Sequence, residues 1–373
     1  MGQDGRVRLP VMPPTSPMLA KLARELPPAR EGTIYEPKWD GFRAIVYRDG
    51  EEIEIESRGE KSFTRYFPEL VPVLLSALPA RIVVDGEIVV AGPHGLDFHL
   101  LQQRIHPAAS RVKMLSEQTP ASFVAFDLLA LGGDDLRRAP FSERRGLLEK
   151  TLRKAKAPVH VTPATPDRAV AEGWLDRFVG SGLDGVMVKD PALAYHEGKR
   201  VMVKVKHERT VECVVAGYRV HKDGKGAGSL LLGLFDKRGE LHHVGVCSAF
   251  AATQRVEILD HVRPHELGAD EMAEHPWAAW GDEAAHQTLL MPGTPSRWSG
   301  ARAAEKGVDQ AQAADWVALR CDLVAEVRFE HLQGARFRHP ARFSRWRPDR
   351  TPESCTYGQL VAPTPVELAT LLG

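Results

Sequence analysis

The sequence has no charge excess, few cysteines and no long apolar run, and each shortage removes a class of protein. Its 49 basic and 49 acidic residues cancel to a net charge of +0. That balance excludes a uniformly cationic coat, so any nucleic-acid binding has to come from local clusters. The four cysteines, Cys213, Cys247, Cys321 and Cys355, are far apart and form no C-x-x-C pair. Neither a disulfide framework nor a zinc site is expected from them; buried thiols of a reducing compartment are. No segment approaches the roughly 18 apolar residues of a membrane span, and the start lacks an apolar signal core. These absences predict a cytoplasmic protein with no membrane partner.

What is present is organised around Glu36-Pro37-Lys38-Trp39-Asp40-Gly41-Phe42-Arg43. Phe42, Ala44 and Val46 alternate with Arg43, Ile45 and Tyr47 as the two faces of a half-buried strand, and Asp49-Gly50 follows as a tight turn. Lys38 therefore sits at the mouth of a sheet. An amine is a nucleophile only when unprotonated, which requires desolvation or nearby cations, and Arg43 lies five residues on. A solvated surface lysine fits this stretch equally well, so the rest of the chain has to decide.

Upstream, proline-rich residues 1–16 read as a flexible or extended leader. Pro17-Met18-Leu19-Ala20 is expected to open a short helix, with Leu19, Leu22 and Leu26 packing on one side. Downstream, Glu52-Ile53-Glu54-Ile55-Glu56 reads as a half-exposed strand ending in Ser57-Arg58-Gly59, where a cation beside a glycine turn could meet a phosphate. Residues 67–78 make an amphipathic helix that begins with a proline. In Arg81-Ile-Val-Val-Asp85-Gly86-Glu87-Ile-Val-Val two acids interrupt an apolar strand on one face, and buried carboxylates are costly without partners. Asp85-Gly86 fits a bulge or turn; Glu87 fits a ligand for a metal or a ribose hydroxyl.

Three more segments continue the theme. Residues 97–105 have a helical face, and Phe123-Val-Ala-Phe126-Asp127-Leu is a buried strand with an aromatic able to stack on a base, or simply to fill the core. After helical patterns at 141–157 and 168–181, Asp184-Gly-Val-Met-Val-Lys189 forms another buried strand. Val201-Met-Val-Lys204-Val-Lys206 then puts two lysines on one face. They repel unless an anion lies between them, although an exposed edge strand would look the same.

The ordered set Lys38-x-Asp40-Gly41-x-Arg43, Ser57-Arg58-Gly59, Asp85-Gly86-Glu87, Phe126-Asp127, Asp184 to Lys189 and Lys204-x-Lys206 resembles the covalent nucleotidyltransferases. These are the ATP-dependent DNA ligases, RNA ligases and mRNA capping enzymes. Pro17 to Ala20, Glu36-Pro37-Lys38 and Phe98-x-x-Leu101-Gln102 are most similar to bacterial ATP-dependent DNA ligases, especially the actinobacterial C type, over roughly residues 17–360.

The resemblance implies an α+β chain: a flexible leader (1–16), an ATP-grasp-like adenylyltransferase domain of two antiparallel sheets with flanking helices (17–208), and an OB-fold β-barrel (209–373). The short strands beyond residue 208 suit that barrel, interrupted by an irregular insertion near 264–316. It further implies that Lys38 attacks the α-phosphorus of ATP and that Glu36 reads the adenine amino group. Arg43 and Arg58 would approach phosphate or ribose, Glu87 would hold the ribose or a metal, and Phe126 would stack on adenine. Asp184 would bind Mg2+ or Mn2+, and Lys204 and Lys206 would neutralise the α-phosphate. The sequence departs from the family at Asp184, where Glu is usual, and at Met202, where Trp is common.

Near the C-terminus, Arg336, Arg338, Arg342, Arg345, Arg347 and Arg350 put six arginines in 15 residues, with Asp349 the only acid. They read as a solvated basic face or as a grip on DNA phosphates. Arg347-Pro348-Asp349-Arg350 also resembles the family motif that closes over the ATP triphosphate, giving Arg347 a catalytic role. The expectation is a monomeric DNA ligase, without an additional N-terminal DNA-binding domain, that seals 5′-phosphate/3′-hydroxyl nicks in double-stranded DNA, in repair. An RNA ligase, a capping-type enzyme or a non-catalytic OB-fold nucleic-acid-binding protein are the alternatives.

Overall fold

A computed structural model describes residues 8–92, 95–177, 183–206, 209–278, 316–330, 332–333 and 335–360. The chain forms two compact units that divide between residues 206 and 209.

The first unit is built on two sheets. One has the order β1 (Leu19–Ala23), β11 (Arg200–Val205), β10 (Leu183–Lys189), β2 (Ile34–Trp39), with β1 parallel to β11 and the other pairs antiparallel. The other has the order β4 (Glu52–Ser57), β3 (Phe42–Asp49), β5 (Arg81–Gly92), β7 (Ala121–Leu131), β8 (Asp134–Asp135), all antiparallel. Short strands β6 (Gly95–Leu96) and β9 (Val159–Val161) pair with β5 and β7. The helices are α1 (Leu70–Ala77), α2 (Phe98–Gln103), α3 (Ala109–Gln118), α4 (Phe141–Leu152) and α5 (Arg168–Arg177).

The larger sheet is covered on both faces. Ala44, Val46, Val84 and Leu128 pack with Leu70 and Leu74 of α1 and Leu148 of α4, while Ile45, Tyr47, Val83 and Leu129 pack with Met18 and Met202. The alternation in β3 therefore records two buried faces, not the half-buried strand expected, because an apolar side chain on either face finds a covering layer.

Two other expectations change. Leu19–Ala23 is a strand, not a helix: it lies along β11, and Leu22 is 55% exposed. Five apolar-rich residues cannot distinguish the two periods, and the need to cover an open strand edge decides. Residues 8–16 form no helix or strand, yet they are packed rather than loose. Leu9 and Val11 are buried, and the Arg8 and Thr15 amides donate to Asp49 (2.7 Å) and Glu56 (3.1 Å).

The second unit is a barrel. Its strands are β12 (Arg209–Val220), β13 (Ala227–Phe235), β14 (Leu241–Ser248), β15 (Val317–Phe329) and β18 (Arg342–Trp346), antiparallel in the order β14, β13, β12, β15, β18. A bridge between Cys247 and Ala341 closes it, the Ala341 amide donating to the Val246 carbonyl at 2.8 Å. A small hairpin, β16 (Leu332–Gln333) and β17 (Arg336–Phe337), and the helix α6 (Ala252–Val262) complete the unit. Ile258 and Val262 of α6 join Leu230, Leu232, Val244 and Val327 in its core. This is the OB-fold expected, one in which closure removes most of the exposed sheet edge. Of the insertion expected near 264–316, the described part makes short helical turns at Arg263–His265 and Ala269–Glu274, and residues 279–315 lie outside the described residues. The four cysteines are free thiols, three buried and Cys321 partly so. Among the described residues no helix is long and apolar enough to cross a membrane.

Candidate active site

The first unit contains a cavity whose wall includes Glu36, Lys38, Arg43, Glu87, Phe126 and Lys204. Arg58, also in the wall, is exposed; its amide donates to the Arg43 carbonyl at 3.3 Å. The cavity thus gathers seven of the ten residues expected at the site. Lys206 and Asp184 reach it through Lys38, and Arg347 belongs to the other unit.

Alternation puts Glu36 and Lys38 of β2 on one face. Across from Lys38, β10 breaks register between Leu183 and Val186, so Asp184 and Gly185 form an irregularity rather than a regular pair. Such a bulge re-aims a side chain. Here it turns Asp184 towards both neighbouring strands: its Oδ2 accepts from Lys38 Nζ at 2.5 Å and from Lys206 Nζ at 3.1 Å. Gly185 makes this possible, with φ at +136° and an imagined Cβ only 2.0 Å from the Val205 carbonyl oxygen. β11 lies inside its sheet, so its Lys204 is not on an exposed edge; beside Lys206, which follows the strand, an anion does lie, and it is Asp184.

A second bulge falls on β7. Asp85 pairs with Asp127 and Gly86 with Ala125, leaving Phe126 as the extra residue. Its ring carries the Arg43 guanidinium at 4.4 Å and the Lys189 ammonium at 5.1 Å from the centroid, within cation–π range. Arg43 in turn grips Asp85 in a fork, Nε to Oδ1 and Nη2 to Oδ2, both at 2.6 Å. Asp85 also accepts from the Tyr195 hydroxyl at 2.6 Å, which itself accepts from the Met18 amide at 3.1 Å. Burial opposes the Arg43 charge, but Coulombic attraction and hydrogen bonding to Asp85 outweigh it and hold its pKa above the ordinary value. Arg43, expected as a cation near Lys38, lines the same cavity, with its charge compensated by Asp85.

Glu87, two residues along the same strand, is in the opposite condition. Burial pushes its pKa up to about 7, with Lys38 and Arg43 pulling the other way. Its Oε1 accepts from the Gly41 amide at 3.2 Å. Gly41 has no room for a side chain, since a Cβ would stand 2.2 Å from the Ile88 carbonyl oxygen and 2.8 Å from Glu87.

Glu36 lies at the cavity wall with its carboxylate 2.7 Å from Lys189 Nζ and 3.1 Å from Arg145 Nη1. Lys189 also donates to the Phe126 carbonyl at 3.2 Å. Sequence reasoning noticed Lys189 and Asp85 without giving them a role, and missed Arg145 and Tyr195, whose partners at the site, Glu36 and Asp85, are more than 100 residues away. Asp127, the other half of its motif, points away from this chemistry: it is buried against Arg144, at 2.8 and 3.0 Å, as a structural ion pair.

In the second unit Arg347 Nη1 meets Glu212 at 2.5 Å and Glu326 at 3.2 Å, and its Nε and Nη2 bond Asp349. Arg345 also pairs with Glu326. The arginine cluster therefore has acids around it that are distant in sequence, beyond the single Asp349 visible nearby. Among the described residues, the one group of three potential ligands close enough for a metal is Asp236, Glu240 and His242, at the β13–β14 turn of this unit.

Comparison with known proteins points in one direction. The family model described as ATP dependent DNA ligase domain matches residues 17–206, and that of the ATP dependent DNA ligase C terminal region matches residues 223–350. The chain is 51% identical over 371 residues to DNA ligase C of Mycobacterium tuberculosis, covering 98% of this chain and 99% of that one. It is 52% identical over 358 residues to DNA ligase C2 of Mycolicibacterium smegmatis, covering 95% and 96%. Among solved structures, one from a structure–function study of Lig E DNA ligases aligns with a TM-score of 0.53 at 17% identity, over 89% of this chain and 99% of that one, a likeness of fold.

Proposed function

The chain belongs to the ATP-dependent DNA ligase family, of the actinobacterial C type, and from that membership we propose how its residues divide the work. It is an ATP-dependent DNA ligase. Lys38 is the nucleophile: its Nζ forms a bond to the α-phosphorus of ATP, the bond to the leaving oxygen breaks, and pyrophosphate departs. Only the neutral amine attacks, so its proton leaves before the N–P bond forms. The observation that carries this reading is the convergence of Lys38, Lys206 and Asp184 at 2.5 and 3.1 Å beside a cavity walled by Glu87, Arg43 and Phe126.

Phe126 offers adenine an aromatic face, and the Glu36 carboxylate accepts from its amino group. Arg43 and Arg58 approach ribose or phosphate. Lys204 and Lys206 neutralise charge developing on the α-phosphate. Arg347, from the second unit, orients the pyrophosphate. Mg2+ or Mn2+ would be held by Glu87, and by Asp184 through water, supplying a Lewis acid for the phosphate oxygens. The residues fit such an ion: Glu87 is a hard oxygen donor whose charge burial disfavours, and Mg2+ commonly binds one or two carboxylates, water and substrate phosphates rather than a full protein cage. The adenylate then passes to the 5′-phosphate of nicked double-stranded DNA, and a 3′-hydroxyl displaces AMP. We place the enzyme in the cytoplasm, as a monomer acting in DNA repair.

Incubation with ATP labelled at the α-phosphate tests the assignment. The wild type acquires a covalent label and Lys38→Ala does not; a labelled Lys38→Ala protein refutes the nucleophile.

A further inference from the structure

We propose that Arg145 is a positioning residue for nucleotide specificity, fixing the Glu36 carboxylate so that it accepts from a 6-amino group and disfavours purines without one. The proposal rests on the reading of Glu36 as the adenine contact and assigns it a support outside the motifs.

Glu36 is 2% exposed, and its two oxygens are divided between two cations: Oε1 to Arg145 Nη1, Oε2 to Lys189 Nζ. A carboxylate at that burial is tolerable only with its charge balanced, and the two partners supply this. They also fix its plane, because each oxygen is held from a different element, α4 on one side and β10 on the other. An ionised carboxylate is acceptor-only, with lone pairs left after one bond per oxygen. Such a group welcomes an exocyclic N–H donor and repels the carbonyl oxygen of a 6-oxopurine.

The two cations are not equivalent. Lys189 is part of the cavity wall; Arg145 stands behind Glu36, outside it. Arg145 is itself clamped, Nη2 to the Thr162 carbonyl at 2.6 Å and Nε to Glu149 at 2.6 Å, and the Thr162 hydroxyl accepts from Trp39 Nε1 at 2.8 Å. The guanidinium thus ties Glu36 to the segment after β9, which is itself bonded to Trp39 of the strand that carries both Glu36 and Lys38. A planar fork with several fixed donors can do this, whereas a lysine has one nitrogen to place.

The test is a ratio, which does not depend on the fraction of protein folded. Self-nucleotidylation efficiency is measured with ATP and with purine riboside triphosphate, which lacks the 6-amino group, for wild type, Glu36→Met, which has no acceptor oxygen, Arg145→Met and Arg145→Lys. The wild type is expected to prefer ATP, and Arg145→Met to lower that preference about tenfold, through KM for ATP with kcat nearly retained. Arg145→Lys should fall between them, and it carries the test alone if Arg145→Met does not fold. An Arg145 variant that keeps the wild-type ratio while Glu36→Met loses it overturns the positioning role and leaves the Glu36 contact standing. A Glu36→Met protein with the wild-type ratio removes the contact itself.

Discussion

Asp184 Oδ2 lies 2.5 Å from Lys38 Nζ and 3.1 Å from Lys206 Nζ, so one buried carboxylate oxygen holds the proposed nucleophile and a second lysine together. Replacing it with alanine leaves two ammonium groups to repel each other and frees Lys38 to wander. Asp184→Ala should lower the rate of AMP-adduct formation by about 100-fold, the scale of a misplacement of about 1 Å. Single-turnover labelling measures it; a rate within twofold of wild type removes Asp184 from the site.

Glu87 makes stability depend on pH in the direction opposite to an ordinary paired carboxylate. Burial raises its pKa from 4.5 to about 7, so the folded chain holds a proton that the unfolded chain releases. The stability associated with that proton is fully present below about 4.5 and is lost as pH rises through about 7. Glu87→Gln keeps an acceptor for the Gly41 amide but cannot ionise. Its stability relative to wild type should therefore increase between pH 5 and 8, by about 1–3 kcal/mol. Denaturant titrations at the two pH values check this, and a difference that does not change with pH contradicts it.

Gly185 and Gly146 should respond oppositely to alanine. At Gly185 the left-handed φ and the 2.0 Å approach to Val205 force β10 and β11 apart, and a loss of roughly 3 kcal/mol or more is expected. Gly146 is exposed in α4 with open space around its Cβ, so Gly146→Ala should stabilise by about 0.5–1 kcal/mol. Thermal melts of both variants decide.

Arg347 is proposed to orient pyrophosphate, which exists only in the first step. Arg347→Ala should therefore abolish AMP-adduct formation while a nick already carrying the adenylate is still sealed. Gel-resolved ligation of nicked DNA with and without the preformed adenylate separates the two; equal loss in both assays assigns Arg347 to DNA or to folding instead.

The motifs were legible because their chemistry is local. Lys38, Glu87, Asp184 and Lys204 are odd residues for the strands they interrupt, and a charge among apolar neighbours demands a reason wherever it occurs. The strand at Leu19–Ala23 was not legible, since its conformation is set by the edge of β11, about 180 residues away. Nor were the two bulges that turn Asp184 and Phe126: an extra residue in a ladder is defined only against its partner strand.

The sequence by itself determined the order of the motifs, the barrel that follows them and, through its resemblance, the family. Tertiary structure decided which charge answers which. It gave Arg43 to Asp85, Lys38 and Lys206 to Asp184, Glu36 to Arg145 and Lys189, and Arg347 to Glu212 and Glu326. The reason is physical: a charge chooses its partner by distance through space and by the water removed from both, and neither quantity is written along the chain.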